Sequence, residues 1–281
     1  MNTWELVDGN DSQKQVRYNL VIVAEGYAAA DQAKFGTDIT LFTDFLFSRP
    51  PFNNQTYRNR LNIYRLNVTS TDSGADDDDP SETCDNLPER ASYFGARHCF
   101  DNIKRMIVVN DNLVMQEVNN ELAEWHKILV FVNSHRAGGS GGSIAVVSTF
   151  NEELWEDTAV HELGHTMFGL GDEYGEMQTA GNPSETGYPN ITLQGKNQTN
   201  PKWGSLIQVS TAVPTFSPCS HPGLLMPAGN PIGTFEGGNR YHCGFYRSQF
   251  NCLMRGYEEP RELCSVCERE VSRLLDLPVP G

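Results

Sequence analysis

The chain has 281 residues, 38% of them hydrophobic and 20% charged, and carries a formal net charge of −15. That length supplies a substantial core for one large domain or two modest ones, and the composition lacks the bias of collagen, coiled coil or a disordered tail. Such acidity argues against nucleic acid, whose binding needs a basic patch that releases counterions, and it disfavours anionic membranes. No run reaches the roughly 18 apolar residues of a bilayer span, so no membrane insertion is expected. The amino terminus shows no basic segment followed by an apolar one; a leader removed before this numbering leaves export open.

An apolar run from Tyr18 to Ala24, then Glu25-Gly26-Tyr27 and a helical stretch from about Ala29 to Phe47, reads as a βα unit. Strands are predicted at Leu61 to Val68, Arg105 to Val109 and Ile128 to Asn133, with a helix from about Val114 to Trp125. Between the first two lies the acidic run Asp76 to Asp79, read as a solvated loop or, in an exported protein, a calcium site. Gly138 to Ser143 is glycine-rich but lacks the lysine and helix of a phosphate loop, and reads as a turn into a short strand, Ile144 to Ser148. From Gly175 to Gly238 the sequence is crowded with Gly, Pro, Asn and Ser, and a last helix is expected from about Leu263 to Leu275. The predicted class is mixed α/β: a twisted mixed sheet with flanking helices and a loop-rich C-terminal part. A single domain over 1–281 is expected, with subdomains at about 1–170 and 171–281.

The cysteines stand at 84, 99, 219, 243, 252, 264 and 267, a number that favours an exported protein. Cys84 and Cys99 close a short loop and read as a disulfide. Cys264-Ser265-Val266-Cys267 fits a disulfide, a redox pair or half a zinc knuckle. Structural disulfides are expected for most of the set; the alternative is a second zinc held by Cys243, Cys252, Cys264 and Cys267. An odd count leaves one thiol over.

The segment Thr158-Ala159-Val160-His161-Glu162-Leu163-Gly164-His165 carries the chemistry. Residues four apart share a helix face, so both imidazoles can reach one tetrahedral zinc with Glu162 beside a zinc-bound water. Apolar residues at 160, 163, 167 and 168 support the helix. A hydrolytic zinc keeps three protein ligands and one open position. Gly169 can end the helix in a left-handed conformation and turn the chain so that a downstream residue returns to the metal. Asp172 is placed for this, Glu173 is the alternative, and His221 and His242 are more distant candidates. One zinc per chain is expected. Further on, Asn251-Cys252-Leu253-Met254-Arg255 reads as a tight turn with a buried methionine, which in metzincin peptidases lies beneath the zinc.

The pattern His-Glu-x-Gly-His-x-x-x-Gly-Leu-x-Asp-Glu-Tyr, followed by Cys-Leu-Met-Arg and Cys-x-x-Cys, resembles the IgA peptidase family of zinc metallopeptidases, a metzincin-like group. Glu25-Gly26-Tyr27, Asn133-Ser134 leading to Gly138-Gly139-Ser140-Gly141-Gly142, and Tyr246-Arg247 also fit it, so the likeness covers nearly the whole chain. The resemblance implies His161, His165 and Asp172 as ligands, Glu162 as general base and Met254 as the turn methionine. It departs from the commoner metzincin motif in placing Gly169 one residue later and in using Asp as third ligand. The implied activity is zinc-dependent endopeptidase action on extracellular polypeptides, with secretion to the periplasm, cell surface or medium. Tyr257, three residues past Met254, is a candidate oxyanion donor, and the strand Ile144 to Ser148 a candidate edge for peptide pairing. The competing readings are a zinc amidase acting on cell-wall material and a non-enzymatic surface module with a structural zinc; Glu162 argues against the second, because a structural site needs no base.

Overall fold

The computed structural model describes residues 3–79, 84, 89–150, 154–179, 183–193, 201–259 and 261–279. The chain divides into two compact units, Met1–Met167 with Leu275–Gly281, and Phe168–Leu274. The fold is mixed α/β, with a mixed sheet in each unit.

The first unit is built on strands β1 (Thr3–Asp8), β2 (Tyr18–Glu25), β3 (Leu61–Asn67), β4 (Lys127–Val132), β5 (Gly139–Ser140) and β6 (Ala145–Ser148). Their order across the sheet is β1-β3-β2-β4-β6-β5. The inner strands β3, β2, β4 and β6 run parallel, and β1 and β5 are antiparallel to their neighbours. The parallel centre explains the unbroken apolar runs: Leu20 to Ala24 and Ile128 to Val132 are buried on both faces. Inside this apolar centre Asn19 stands opposite Asn62, and the Asn62 amide donates to Asn19 Oδ1 at 2.9 Å.

Helix α1 (Gln32–Ser48) buries Phe35, Ile39, Phe42 and Leu46 at helical spacing, and a short α2 (Gln55–Arg58) follows. Helix α3 (Asp111–Glu121) starts three residues before its predicted position because Asn110 caps the Leu113 amide. Helix α4 (Trp155–Phe168) buries Trp155, Ala159, Val160 and Leu163. Phe131 of β4 receives Phe42 and Trp155 edge-on, at centroid distances of 5.4 and 5.2 Å. Each such pair adds about 1 kcal/mol beyond its buried area, which fixes α4 against the sheet.

Three predicted features of this unit differ from the structure. Arg105 to Val109 forms no strand; only Val108 bridges Arg97, while the carbonyls of Arg105 and Ile107 accept from Gly139 N–H and Ser140 Oγ. The glycine-rich turn contains β5. For that reason β6 is no free edge: β4 and β5 occupy its two sides.

The second unit is organised around β10 (Arg240–Arg247), which pairs parallel with β7 (Gly175–Thr179) and antiparallel with β8 (Ile191–Thr192) and β9 (Phe235–Gly238). These strands fall largely in the stretch read as loop, of which residues 180–182 and 194–200 lie outside the described residues. Helix α5 spans Ser265–Asp276, beginning two residues later than expected. Disulfides join Cys84 to Cys99 in the first unit and Cys219 to Cys243 in the second. The second bond removes Cys243 from the four-cysteine zinc set and leaves Cys252, Cys264 and Cys267 as buried free thiols.

Candidate metal centre

On α4, at about 100° per residue, His161, Thr158, His165 and Glu162 fall on one side, and Trp155, Ala159 and Leu163 on the side that meets the core. The imidazoles stand edge to face, 4.7 Å between centroids, with the two Nε2 atoms 3.0 Å apart. That separation is close to the roughly 3.3 Å edge of a tetrahedron of nitrogens about 2.05 Å from a zinc ion. His161 and Glu162 are buried, at 7% and 8% exposure. Two converging nitrogen donors at a largely dehydrated position fit a borderline-soft cation such as zinc.

A glycine strap lies over this face. A Cβ on Gly139 would sit 2.8 Å from Glu162 Oε1 and 2.8 Å from Thr158 Cγ2; one on Gly141 would sit 2.9 Å from both Glu162 Oε2 and His165 Cβ. Only glycine lets the backbone of β5 and its continuation approach the functional face this closely. Beneath the strap, His98 Nε2 lies 2.8 Å from Ser134 Oγ, and a Cβ on Gly138 would be 3.0 Å from the same imidazole. Burial, reinforced by the Arg136 charge, pushes the His98 pKa down to about 3.

The chain leaves α4 through Gly169 at φ +62°, the left-handed turn expected at that position. In the second unit the Asp172 carbonyl accepts from Asn239 N–H at 2.7 Å and the Glu173 amide donates to the Met254 carbonyl at 2.8 Å. Met254 is fully buried in a tight turn, where the amides of Arg255 and Gly256 both donate to the Cys252 carbonyl. Glu173, the alternative third ligand, is committed elsewhere: Asn190 donates to its Oε1 at 3.0 Å, and the same oxygen lies 3.3 Å from Cys267 Sγ. Burial raises its carboxyl well above the usual range. His221 and His242 are exposed, and neither joins a group of possible metal ligands among the described residues. Tyr257 is 38% exposed.

Of the acidic run, Asp78 is built into the structure, while Asp76, Asp77 and Asp79 stay half-exposed. Asp78 is 3% exposed, and its carboxylate accepts from Ala75 N–H at 3.3 Å, while Asp76 accepts from Arg90 N–H at 2.5 Å. Glu25, fully buried at the end of β2, accepts from the amides of Phe94 and Ala96, both at 2.8 Å. The approach of Gly139 and Gly141 to α4 and the burial of Glu173 beside the free thiols lie outside the sequence reading. The glycines had a visible signal in their crowding before a strand; the carboxylate had none.

Two convergent imidazoles and a carboxylate on one helix face are the side chains that a metallohydrolase site requires. The family described as IgA Peptidase M64 matches residues 5–221 and 225–275, and the chain belongs to that family of metallopeptidases. No curated protein matches the chain.

Proposed function

We propose that the chain is a zinc-dependent endopeptidase with a metzincin-like site, acting on polypeptides outside the cytoplasm. The carrying observation is the pair of Nε2 atoms 3.0 Å apart on the same face of α4 as Glu162. His161, His165 and Asp172 are the proposed ligands. Asp172 is favoured because Gly169 turns the chain three residues before it and because Glu173 is held by Asn190 and Cys267. A zinc ion bound there would polarise the scissile carbonyl and lower the pKa of bound water to about 7.

The chain's own residues do the remaining work. Glu162 takes the proton of the attacking water and returns it to the leaving amine. The strap at Gly139 and Gly141 limits where that carboxylate can swing. The exposed Gly141-Gly142 segment offers backbone without side chains, where an extended substrate can run past Glu162. Tyr257 supplies a hydroxyl donor for the developing oxyanion, and Met254 forms the turn floor. Two disulfides support export, and no helix among the described residues is long and apolar enough to cross a membrane.

The test is incubation with a proteome-derived peptide library, with cleavage positions read by mass spectrometry. Cleavage by the wild type but not by Glu162→Gln at equal metal content supports the reading. Metal loss in Glu162→Gln, or no cleavage of any peptide by metal-loaded wild type, overturns it.

A further inference from the structure

We infer that Glu173, Cys252, Cys264 and Cys267 form a second, structural zinc site in the second unit. One ligand atom from each of the four residues lies within 4.8 Å of the others, and all four residues are buried. The sulfurs of Cys252 and Cys267 are 3.7 Å apart, and Glu173 Oε1 lies 3.3 Å from Cys267 Sγ and 3.8 Å from Cys264 Sγ. A tetrahedral zinc with about 2.3 Å to sulfur and 2.0–2.2 Å to oxygen has S···S edges of about 3.75 Å and S···O edges of about 3.5–3.7 Å. The observed edges scatter around those values, whereas a disulfide requires sulfurs about 2.05 Å apart.

Three further features point to an ion. Glu173 is fully buried, and its Oε2 has no hydrogen-bond partner. The Cys264 amide donates to Cys252 Sγ at 3.2 Å, a bond that favours thiolate. Cys264 and Cys267 also flank the start of α5, where the helix N-terminus stabilises negative sulfur. No pairing of the three thiols accounts for them all, and any disulfide among them would strand the third beside a buried carboxylate. Zinc bound by three thiolates and one carboxylate carries a net charge of −2, and the buried Arg247 guanidinium acts electrostatically on Glu173, Cys252 and Cys264 to offset part of it. Four protein ligands close the site to substrate, which makes it structural. It ties together the strand entry after Asp172, the Met254 turn and the first turn of α5. The expected content therefore rises from one zinc per chain to two.

The inference is independent of the ligand assignment on α4, and one set of proteins separates the two. Wild-type protein and the double variant His161→Ala plus His165→Ala are purified, analysed for zinc, and exchanged with cobalt(II). The double variant should lose half of the wild-type zinc and retain an intense near-ultraviolet thiolate-to-cobalt charge-transfer band. Cys264→Ser plus Cys267→Ser should abolish that band. Wild-type protein denatured with chelator and without reductant should yield three free thiols. A double histidine variant without zinc or thiolate band, or a denatured wild type with one free thiol, overturns the inference. Zinc that is unaffected by the histidine substitutions but lost with the cysteines sinks the α4 reading and upholds this one.

Discussion

Gly139→Ala tests whether the strap holds Glu162 in its working position. The added methyl would stand 2.8 Å from Glu162 Oε1 and from Thr158 Cγ2, against an ordinary contact of 3.4 Å, so something must give by about 0.6 Å. Oε1 is the far end of a rotatable side chain and yields first, but Thr158 Cγ2 sits on a short β-branched side chain and yields less, so the stability loss falls within the roughly 1–3 kcal/mol seen for overpacking. A further cost appears in rate. A misplacement of about 1 Å can remove about 10²-fold, so a shift near half of that should lower kcat by about tenfold with little change in KM. Gly141→Ala meets His165 Cβ at 2.9 Å, an atom anchored to the helix, so it should weaken metal binding as well. Steady-state kinetics on a cleaved library peptide, thermal melting and elemental analysis read these effects. Wild-type kcat in fully metal-loaded Gly139→Ala would refute the reasoning, because the carboxylate would then be working from somewhere the strap does not reach.

Glu162→Gln should lower kcat/KM by about the upper end of 10²–10⁴, since one residue serves both proton transfers, while its metal content stays at the wild-type level. Asp172→Ala should cost both metal at α4 and activity, and Asp172→His should recover metal; zinc bound by His161, His165 and another residue in a crystal structure would refute the assignment. Tyr257→Phe should lower kcat and leave KM and metal content alone; unchanged kcat removes the tyrosine from the mechanism. His98 is held neutral with a pKa near 3 against about 6.5 unfolded, so its contribution is complete above pH 6.5 and is lost as pH falls toward 3. At pH 5 that loss is about 2 kcal/mol, read as a fall in melting temperature that His98→Gln should lessen. With Asp76 and Asp78 accepting from backbone amides, millimolar calcium should leave the melting temperature unchanged; a rise would place calcium in the acidic run.

The parts of the fold that the sequence reveals are those with strong local periodicity. The buried parallel strands β2 and β4 read as apolar runs and β3 as apolar residues alternating with polar ones, and α4 reads from apolar spacing plus the His161, Glu162 and His165 pattern. Strand β1 is hidden because an edge strand with a wet face shows little contrast: Thr3 and Glu5 are exposed, and the Asp8-Gly9 turn marks where it ends without marking it as a strand. Strand β5 is hidden because glycine argues against a strand on propensity, and its reason for being glycine is a helix that lies elsewhere in the sequence. The cysteine grouping is the clearest case. Spacing suggests that Cys243 belongs with Cys252, yet β10 carries Cys243 to Cys219, and the place it vacates is filled by Glu173. A carboxylate beside the proposed ligand Asp172 offers no local sign that it turns toward sulfur instead.

The facing asparagines of β2 and β3 decide how the central sheet can assemble at all. Parallel strands made only of valine, leucine and isoleucine would tolerate sliding by two residues, because such a slip keeps every side chain on its own face. Here a two-residue slip would part Asn19 from Asn62 and, in one direction, set the Asn62 amide against Val21. The Asn19 amide is itself bound to the carbonyls of Lys14 and Glu124, which ties this one rung to the segments that precede β2 and β4. Replacing both asparagines with leucine should therefore yield a chain that still collapses but no longer selects one alignment, and proper seating of α4 would be lost among the alternatives.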